Sequence, residues 1–566
     1  MFRIQEVPSP GVALTALALS FVVPPQSPPP DVEQRSMGTR PPAMLVESFD
    51  GLGVGFVGPH GAAEGRNPSD NSLAVGPDHI VQTVNSRIAI FTKKGGRFDT
   101  TGRAVYGPVP TNTVFAGFGG TCEERNNGDA VVRYDQLANR WLIVMPIFSR
   151  IPYRPDQPVG TTPRDPPAVS VPGVAGQPGP AMQLFRPPPP PPPDATPPQR
   201  GGGRGRGAQP SGPQGVYSMC YAISTGDDPF GPYHRYEFLR PYFPDYPRPA
   251  VWPDGYYIPT STGDNRISES VATQKHACVV ERDRMLRGEP AREVCVIIEN
   301  VNFLNNADLD GTVLPPPSAP NIMMAAGGRQ LDSVFSDSTI DVWQFRVDWN
   351  SPVNTRVTGP QKVRVAPYAY LCNGQLTRCV PQPGTAQRLD SQGDKIMARL
   401  VYRQLGDRGS VVAVHSVSTS RGGGGVRWYE FDADANGAVR LRQQGTYLGD
   451  SLYRWMASPA IDRFGNIGIG YSFGSSVHFP GQRFAGRRAS DPPGQLTLRE
   501  AVLVEGQDSQ AGNPPNYSTL RWQDYTQTAI DPDDDCTIWY VGDYVKAGAN
   551  SYSTRIGAFR MPGCGG

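Results

Sequence analysis

Acidic residues recur at one position of a repeating pattern, immediately before short segments that we predict to be strands. If those strands surround a common centre, the residues before them form one cluster. Such carboxylates could hold a hard cation such as Ca²⁺, which takes six to eight oxygen ligands. They could also bind a cationic or hydroxyl-rich ligand, with Trp455 and Trp522 offering apolar faces. The residues at this position are Asp70, Asp129, Asp245, Asp337, Asp394, Arg454 with Trp455, and Asp524 with Tyr525.

Each of these aspartates also has a simpler interpretation. An aspartate in a tight turn accepts hydrogen bonds from nearby backbone N–H groups and so closes its own turn. The densest acidic run, Asp-Pro-Asp-Asp-Asp-Cys at residues 531–536, lacks the spacing of an EF-hand loop, and we interpret it as a solvated turn. His415 lies inside an apolar segment, and we interpret it as a core residue rather than a general base.

The elements that would position these residues are repeated β-hairpins. The clearest copy spans residues 454–472, where two apolar segments flank the turn Asp462-Arg-Phe-Gly-Asn466. Short apolar runs separated by Gly, Asn or Asp are typical of hairpins. Similar segments occupy residues 73–82, 130–143, 249–258 and 528–539. The recurrence predicts an all-β protein, a β-propeller.

The spacing of the repeats predicts the number of blades. We place the innermost strands near residues 72, 129, 249, 338, 395, 456 and 526. A four-stranded blade needs about 40–60 residues, so six to eight blades fit residues 44–566 and seven fit best. The alternative fold is an array of two or three β-sandwich domains, which would not repeat one motif at a fixed place. Residues 282–288 are the one short helix that we predict.

Two regions fall outside this pattern. Residues 1–23 contain a short apolar run that fits a secretory signal peptide, and residues 24–43 read as a Pro-rich linker. Residues 150–214 include seven consecutive prolines and a Gly/Arg-rich run. Such a segment cannot bury a core, so we predict a disordered insertion within blade two. Gly/Arg-rich sequence can also bind RNA, but in an exported chain we favour a flexible surface loop.

The net charge and the cysteine content limit the cellular compartments and the partners that are compatible with the sequence. The net charge of +1 argues against a nucleic-acid partner, and no apolar run is long enough to span a membrane. We expect a monomer that is secreted, periplasmic or at the cell surface. Eight cysteines allow 105 pairings, so connectivity is not fixed by sequence. Their order suggests Cys278 with Cys295, Cys372 with Cys379, Cys536 with Cys564 and, by elimination, Cys122 with Cys220.

Several sequence motifs resemble those of a group of secreted bacterial β-propeller proteins of largely unassigned function. They lie at residues 127–135 with Arg140 and Trp141, 243–247, 251–257, 379–390, 425–430, 444–447 and 453–456. A looser similarity, at residues 460–467, is to the Asp-box turn of sialidase-type propellers. The resemblance implies an exported propeller and supplies no catalytic residues. The Pro/Gly-rich insertion is not part of the pattern.

Two functions remain open on these grounds. The first is a binding module for a glycan or an extracellular or envelope protein, with its site at one end of the central channel. The second is a glycoside hydrolase or lyase that uses the same site. A sialidase-like enzyme could use Arg399, Arg454, Tyr525 and Asp394, but the spacing does not single them out. We assign no catalytic residue, because the sequence has neither a G-x-S-x-G nor an H-E-x-x-H motif. Acid and base carboxylates that converge about 5–10 Å apart would favour the enzyme.

Overall fold

The computed structural model describes residues 32–63, 67–151, 174–175, 215–240, 243–261, 274–299, 301, 303–326, 338–374, 378–511 and 521–564. Within these ranges the protein is all-β, as predicted. The helical segments of the described residues are short: α-helices at Gly120–Glu124 and Arg282–Leu286, and 3₁₀ turns at Thr111–Phe115, Pro352–Asn354 and Leu371–Gly374. The second α-helix is the predicted one.

The strands of the first half of the chain form four antiparallel groups, which we number as sheets in chain order. Each consists of four strands that pair in sequence. Sheet one is Ser72–Val75, His79–Val84, Arg87–Thr92 and Ala104–Pro110; sheet two is Val131–Asp135, Arg140–Ile147, Tyr217–Ser224 and Tyr233–Arg240; sheet three is Ala250–Trp252, Gly255–Ser261, Gln274–Val280 and Glu293–Glu299; sheet four is Asn305–Leu309, Asn321–Ala325, Thr339–Arg346 and Arg356–Arg364.

The second half adds three further groups among the described residues. Sheet five is Leu400–Leu405, Arg408–Ser418, Gly424–Ala433 and Val439–Tyr447; sheet six is Tyr453–Ile461, Ile467–Gly474, Gly481–Arg487 and Ala501–Val504; sheet seven is Gln527–Ile530, Thr537–Tyr544 and Ser553–Arg560, with Met44–Gly53 as its fourth strand. Sheet seven thus joins the beginning of the described chain to its end. Minor strands lie at Glu33–Gln34, Val57–Gly58, Gly61–Ala62, Val174–Ala175, Ala369–Tyr370, Val380–Gln382 and Thr385–Leu389.

The first strands of these sheets contact one another in a closed order. Each first strand contacts that of the next sheet, and the first strand of sheet seven contacts that of sheet one. Buried hydrophobic layers lie between neighbouring sheets around the same circuit. Glycine permits one close approach: a Cβ at Gly470 would lie 2.4 Å from the Tyr540 ring of sheet seven. The first strands therefore surround a common centre.

The innermost strand of sheet four is not where the sequence placed it. We expected it near residue 338, but Thr339–Arg346 is the third strand and Asn305–Leu309 is the first. The first strand, Asn-Asn-Ala-Asp-Leu, is too polar to show an apolar pattern. Its polar side chains are nevertheless buried, because neighbours satisfy them: Asn305 donates to the Ile396 carbonyl at 2.8 Å. Asp337 lies outside the described residues.

The four expected cysteine pairs are present. Cys122 lies beside Cys220, Cys278 beside Cys295, Cys372 beside Cys379 and Cys536 beside Cys564, each at disulfide distance. Several bonded pairs in one chain are typical of oxidising compartments.

Other predictions concern residues that are described only in part. Residues 1–23 and nearly all of 150–214 lie outside the described residues. Of the expected linker, Glu33–Gln34 pairs in parallel with Thr446 and Tyr447 at the edge of sheet five. Among the described residues, no helix has the length and apolar character needed to cross a membrane.

Candidate functional site

The residues immediately before the first strands gather at one end of the strand circuit. The first strands of sheets four and five run parallel, so the segments that lead into them lie at the same end. We call the residues there the mouth cluster. It comprises Asp70, Asp129, Asp245, Tyr246, Arg248, Lys275, Phe303, Asp390, Gln392, Asp394, Lys395, Arg521, Asp524 and Tyr525.

Direct contacts join members of the cluster that come from different sheets. The Tyr525 hydroxyl donates to Asp129 Oδ2 at 3.3 Å. The Tyr525 ring stacks on Tyr246 with 4.3 Å between centroids, and the Tyr246 hydroxyl donates to the Asp524 carbonyl. Gln392 Nε2 donates to Asp524 Oδ1 at 3.0 Å. Segments that lead into sheets two, three, five and seven therefore meet at one place.

The backbone of the cluster is strained. Non-glycine residues rarely adopt positive φ, and such residues concentrate at functional sites. Five of them lie in the segments of the mouth cluster, with φ between +47° and +64°: Asp70, Tyr246, Gln392, Gln523 and Asp524. The surrounding contacts hold these segments in conformations that their sequences do not favour.

Three carboxyl groups crowd one side of the cluster: Asp70, Asp129 and Asp245. The side chains of Asp70 and Asp129 lie close enough for their ionisations to influence each other. Burial, and then the charge of Asp129, raises the pKa of Asp70 well above its usual value. Burial, and then the charge of Asp245, raises the pKa of Asp129 to about 7. Burial also raises the pKa of Asp245. Asp70 is buried, whereas Asp129 and Asp245 are half-buried.

Arg521 is the cation that faces these carboxyl groups. Its Nε lies 3.0 Å from Asp390 Oδ2, and its Nη2 pairs with Asp524. Its charge opposes the effect of burial on the pKa of Asp70, Asp129 and Asp245. Burial still raises the pKa of Asp390 to about 7. About a quarter of the Arg521 side chain, 24 %, is exposed, so it lies near the surface of the site.

The other side of the cluster is basic and surrounds an aromatic ring. Lys395 Nζ lies 4.0 Å and Lys275 Nζ 5.1 Å from the centroid of Phe303, which is half-buried. Lys395 also pairs with Asp394 at 3.2 Å. Burial lowers the pKa of Lys395 and lowers that of Lys275 to about 7. The mouth cluster thus has an acidic side and a basic side.

Three of the residues expected at this position lie elsewhere. Arg454 is fully buried and pairs with Asp450 and Glu500, each at 2.7 Å. Trp455 and Trp522 are fully buried in the core of sheets five and six, with 6.2 Å between their ring centroids. Neither tryptophan offers a face to a ligand. The structure brings together Asp70, Asp129, Asp245, Asp394, Asp524 and Tyr525.

The sequence analysis did not find the basic side. Phe303 precedes the polar first strand of sheet four, which we had not recognised, and Lys275 is the second residue of a third strand rather than a residue before a first strand. Lys395 directly follows the expected Asp394, and Arg248 lies three residues after Asp245. Their proximity to the expected acids was the one available signal.

The acidic run at residues 531–536 is a structural turn, because cations contact its carboxylates. The pairs are Lys93 with Asp531 and Asp533, Arg560 with Asp534, and Arg403 with Asp535.

His415 is also structural: it is buried, its Nε2 lies 2.9 Å from the Tyr429 hydroxyl, and burial lowers its pKa to about 3. In the described part of the chain, His276, Cys278 and Cys295 group closely enough to hold a metal, but the two cysteines are bonded to each other.

Further along the same first strands lies a second group of buried charges. We call Arg133, Asp308, Asp310 and Arg399 the interior ion pairs; they line a small cavity within the strand circuit. Arg133 Nε lies 3.2 Å from Asp308 Oδ2, Arg399 Nη1 lies 3.5 Å from the same oxygen, and Arg399 Nη2 pairs with Asp310. Each cation of this group thus has a carboxylate partner.

Comparison with known proteins does not identify a family. No family model matches the sequence, and no curated protein matches it. Solved structures that are similar to it share very low sequence identity with it. One is a protein of unknown function from Dyadobacter fermentans, with 9 % identity, a TM-score of 0.33, and coverage of 92 % of this chain and 100 % of that chain.

Two further similar structures are an arabinanase and a GH43 protein. A Penicillium chrysogenum alpha-L-arabinanase complexed with arabinobiose has 8 % identity and a TM-score of 0.25, and the match covers 56 % of this chain and 94 % of that chain. The GH43 protein BlXynB from Bacillus licheniformis has 9 % identity and a TM-score of 0.19, with coverage of 91 % and 99 %. Structural similarity this weak does not indicate a function.

Proposed function

We propose that the protein is an exported seven-bladed β-propeller whose mouth cluster binds and cleaves a glycan. The closed order of first strands and the hydrophobic layers between neighbouring sheets support the propeller. In this arrangement each four-stranded sheet is one blade, and Met44–Gly53 closes the last one. The four cysteine pairs support export.

The observation that carries the activity is the group of three interacting carboxyl groups, Asp70, Asp129 and Asp245. A general acid works best when its pKa lies near the operating pH, and two adjacent carboxyl groups achieve this by sharing a proton. Asp129 meets this condition with a pKa of about 7, and it is half-buried, so a substrate can reach it. Most glycosidases cleave with one carboxylic acid and one carboxylate.

The three carboxyl groups take different parts in this reaction. Asp129 donates its proton to the glycosidic oxygen as the bond from that oxygen to the anomeric carbon breaks. Asp245 acts as the carboxylate that stabilises the positive charge left on the sugar, because Arg521, Lys275 and Lys395 favour its ionised form. The charge of Asp245 raises the pKa of Asp129, and the charge of Asp129 raises the pKa of Asp70. A water molecule then adds to the anomeric carbon and releases its proton, which restores Asp129.

The second candidate is a module that binds a glycan without cleaving it. Arg521 favours this function, because it is fixed by Asp390 and Asp524 and sits among carboxylates whose charge it partly neutralises. The guanidinium can donate hydrogen bonds to sugar hydroxyls, and the carboxylates beside it can accept them. Such a site needs no proton transfer.

Release of reducing ends from polysaccharides separates the two candidates. The wild type and the variants Asp129→Asn and Asp245→Asn would be incubated with neutral and uronate-containing polysaccharides. Hydrolysis predicts product formation by the wild type and a loss of about 100-fold or more in each variant. Asp407→Asn, an exposed turn position, is the matched control and should retain full activity. Retention of a polysaccharide without any product would support the binding module. The absence of both product and retention would contradict both candidates.

A further inference from the structure

Arg248 differs from other buried arginines of the protein. Arg248 is only 5 % exposed. Among the residues that the structure describes, no carboxylate lies within ion-pair distance of its guanidinium. Its hydrogen bond to the Ile396 carbonyl is long, 3.4 Å, and its Nε has no partner. By contrast, Arg282 and Arg454 are as well buried and each has a carboxylate oxygen at 2.7 Å.

An uncompensated buried cation is costly and calls for an explanation. The faces of Tyr246 at 4.8 Å and Phe303 at 5.5 Å offset part of that cost through cation–π contact. Two more cations, Lys275 and Lys395, approach the same Phe303 ring. Of these, Lys395 is paired with Asp394. The charges of Asp245 and Asp394 act on Lys275, so Arg248 is the cation beside Phe303 that lacks a carboxylate within ion-pair distance in the described part of the chain.

We propose that Arg248, Lys275 and Lys395 form an anion subsite around Phe303, which takes a carboxylate or sulfate group of an acidic glycan. A guanidinium matches the two oxygens of such a group in a planar, bidentate geometry. The ammonium groups of the two lysines add positive charge from the side. Phe303 is half-buried, so the subsite reaches the surface of the mouth cluster.

The subsite also lies in the right place for the proposed reaction, on which the glycan part of this inference rests. Arg248 is three residues from Asp245 in one segment, and Arg248 stacks on Tyr246, whose hydroxyl bonds to the Asp524 carbonyl. An acidic group held by Arg248 would therefore place the neighbouring sugar beside Asp245 and Asp129. The predicted substrates are uronate-containing or sulfated glycans rather than neutral ones.

Thermal unfolding of the full protein with small anions tests the subsite. Sodium glucuronate, sodium sulfate and glucose would be added separately, with ionic strength held constant by NaCl. We expect at least one of the two anions to raise the melting temperature and glucose to leave it unchanged. A rise with glucuronate assigns a carboxylate, and a rise with sulfate assigns a sulfate ester. No rise with either anion in the wild type would overturn the proposal.

Variants assign the effect to Arg248. Arg248→Gln should abolish the rise, whereas Arg356→Gln, an exposed arginine that bonds only to nearby backbone carbonyls, should preserve it. An equal rise in both variants would contradict the subsite. If Arg248→Gln does not fold, Arg248→Lys keeps the charge but loses the bidentate fork, and should weaken anion binding about tenfold.

One further variant separates this inference from the proposed reaction. Asp129→Asn should keep the anion-induced rise, because Asp129 is not part of the subsite. A subsite that depends on Arg248 would therefore stand even if no polysaccharide were cleaved. Conversely, cleavage of neutral glycans without any anion effect would leave the reaction standing and overturn the subsite.

Discussion

The mouth cluster lies mostly in the segments that lead into the first strands, and the interior ion pairs lie on or next to those strands. The two groups differ in how their buried charges are paired. In the interior, Arg133 and Arg399 each contact a carboxylate of the Asp308 and Asp310 pair. At the mouth, Asp70 faces Asp129, a group of like charge, and Arg248 has no carboxylate within ion-pair distance in the described part of the chain. Buried charges that are paired with an opposite charge stabilise the fold, whereas buried charges without such a partner are typical of functional sites.

The largest effect should come from breaking an interior pair. Asp308→Asn keeps the shape of the side chain but leaves Arg133 buried without its carboxylate. We expect a loss of about 3 kcal/mol in the free energy of unfolding, as is usual when one partner of a buried pair is removed. Chemical denaturation measures this loss, with Asp407→Asn as a control that should change stability by less than about 0.5 kcal/mol.

The same substitution at the mouth should have a smaller effect of opposite sign. The folded-state pKa of Asp129, about 7, lies above the usual value near 4, so the carboxyl group stabilises the fold at low pH. That contribution is lost as pH rises through about 7. Asp129→Asn does not ionise, so it should become more stable than the wild type by about 1 kcal/mol near pH 8.

Melting temperatures of the two proteins between about pH 5 and pH 8 check this sign. The difference between variant and wild type should grow as the pH rises. If Asp129→Asn instead destabilises the protein at every pH as strongly as Asp308→Asn does, the contrast between the two regions is wrong.

The smallest effect concerns calcium. Arg521 already supplies a positive charge between Asp390 and Asp524, and Lys395 supplies one to Asp394. Fewer carboxylates therefore remain for a Ca²⁺ ion, which needs six to eight oxygen ligands. We expect EDTA and added Ca²⁺ to shift the melting temperature by less than about 1 °C. A larger shift in both directions would show that a cation, rather than Arg521, organises the acidic side.

The sequence predicted the repeated hairpins because apolar segments and Asp/Gly/Asn turns leave a local pattern. It also predicted that Asp70, Asp129 and Asp245 would gather. It failed at Asn305–Leu309, whose buried polar residues are satisfied only by distant partners such as Ile396. Arg248 could not be found in this way, because a missing partner is a property of the folded structure. The exposure of Trp455 and Trp522 was also misjudged, since packing between sheets decides it.

Binding to a glycan array tests the central claim, that the mouth cluster is the functional site, most directly. Labelled wild type, Arg248→Gln, Asp129→Asn and Arg356→Gln would be compared on neutral, uronate-containing and sulfated glycans. We predict that the wild type, Asp129→Asn and Arg356→Gln retain acidic glycans and that Arg248→Gln loses them by about tenfold or more. Retention that is equal in all four proteins, or no retention of any glycan by the wild type, would contradict the account.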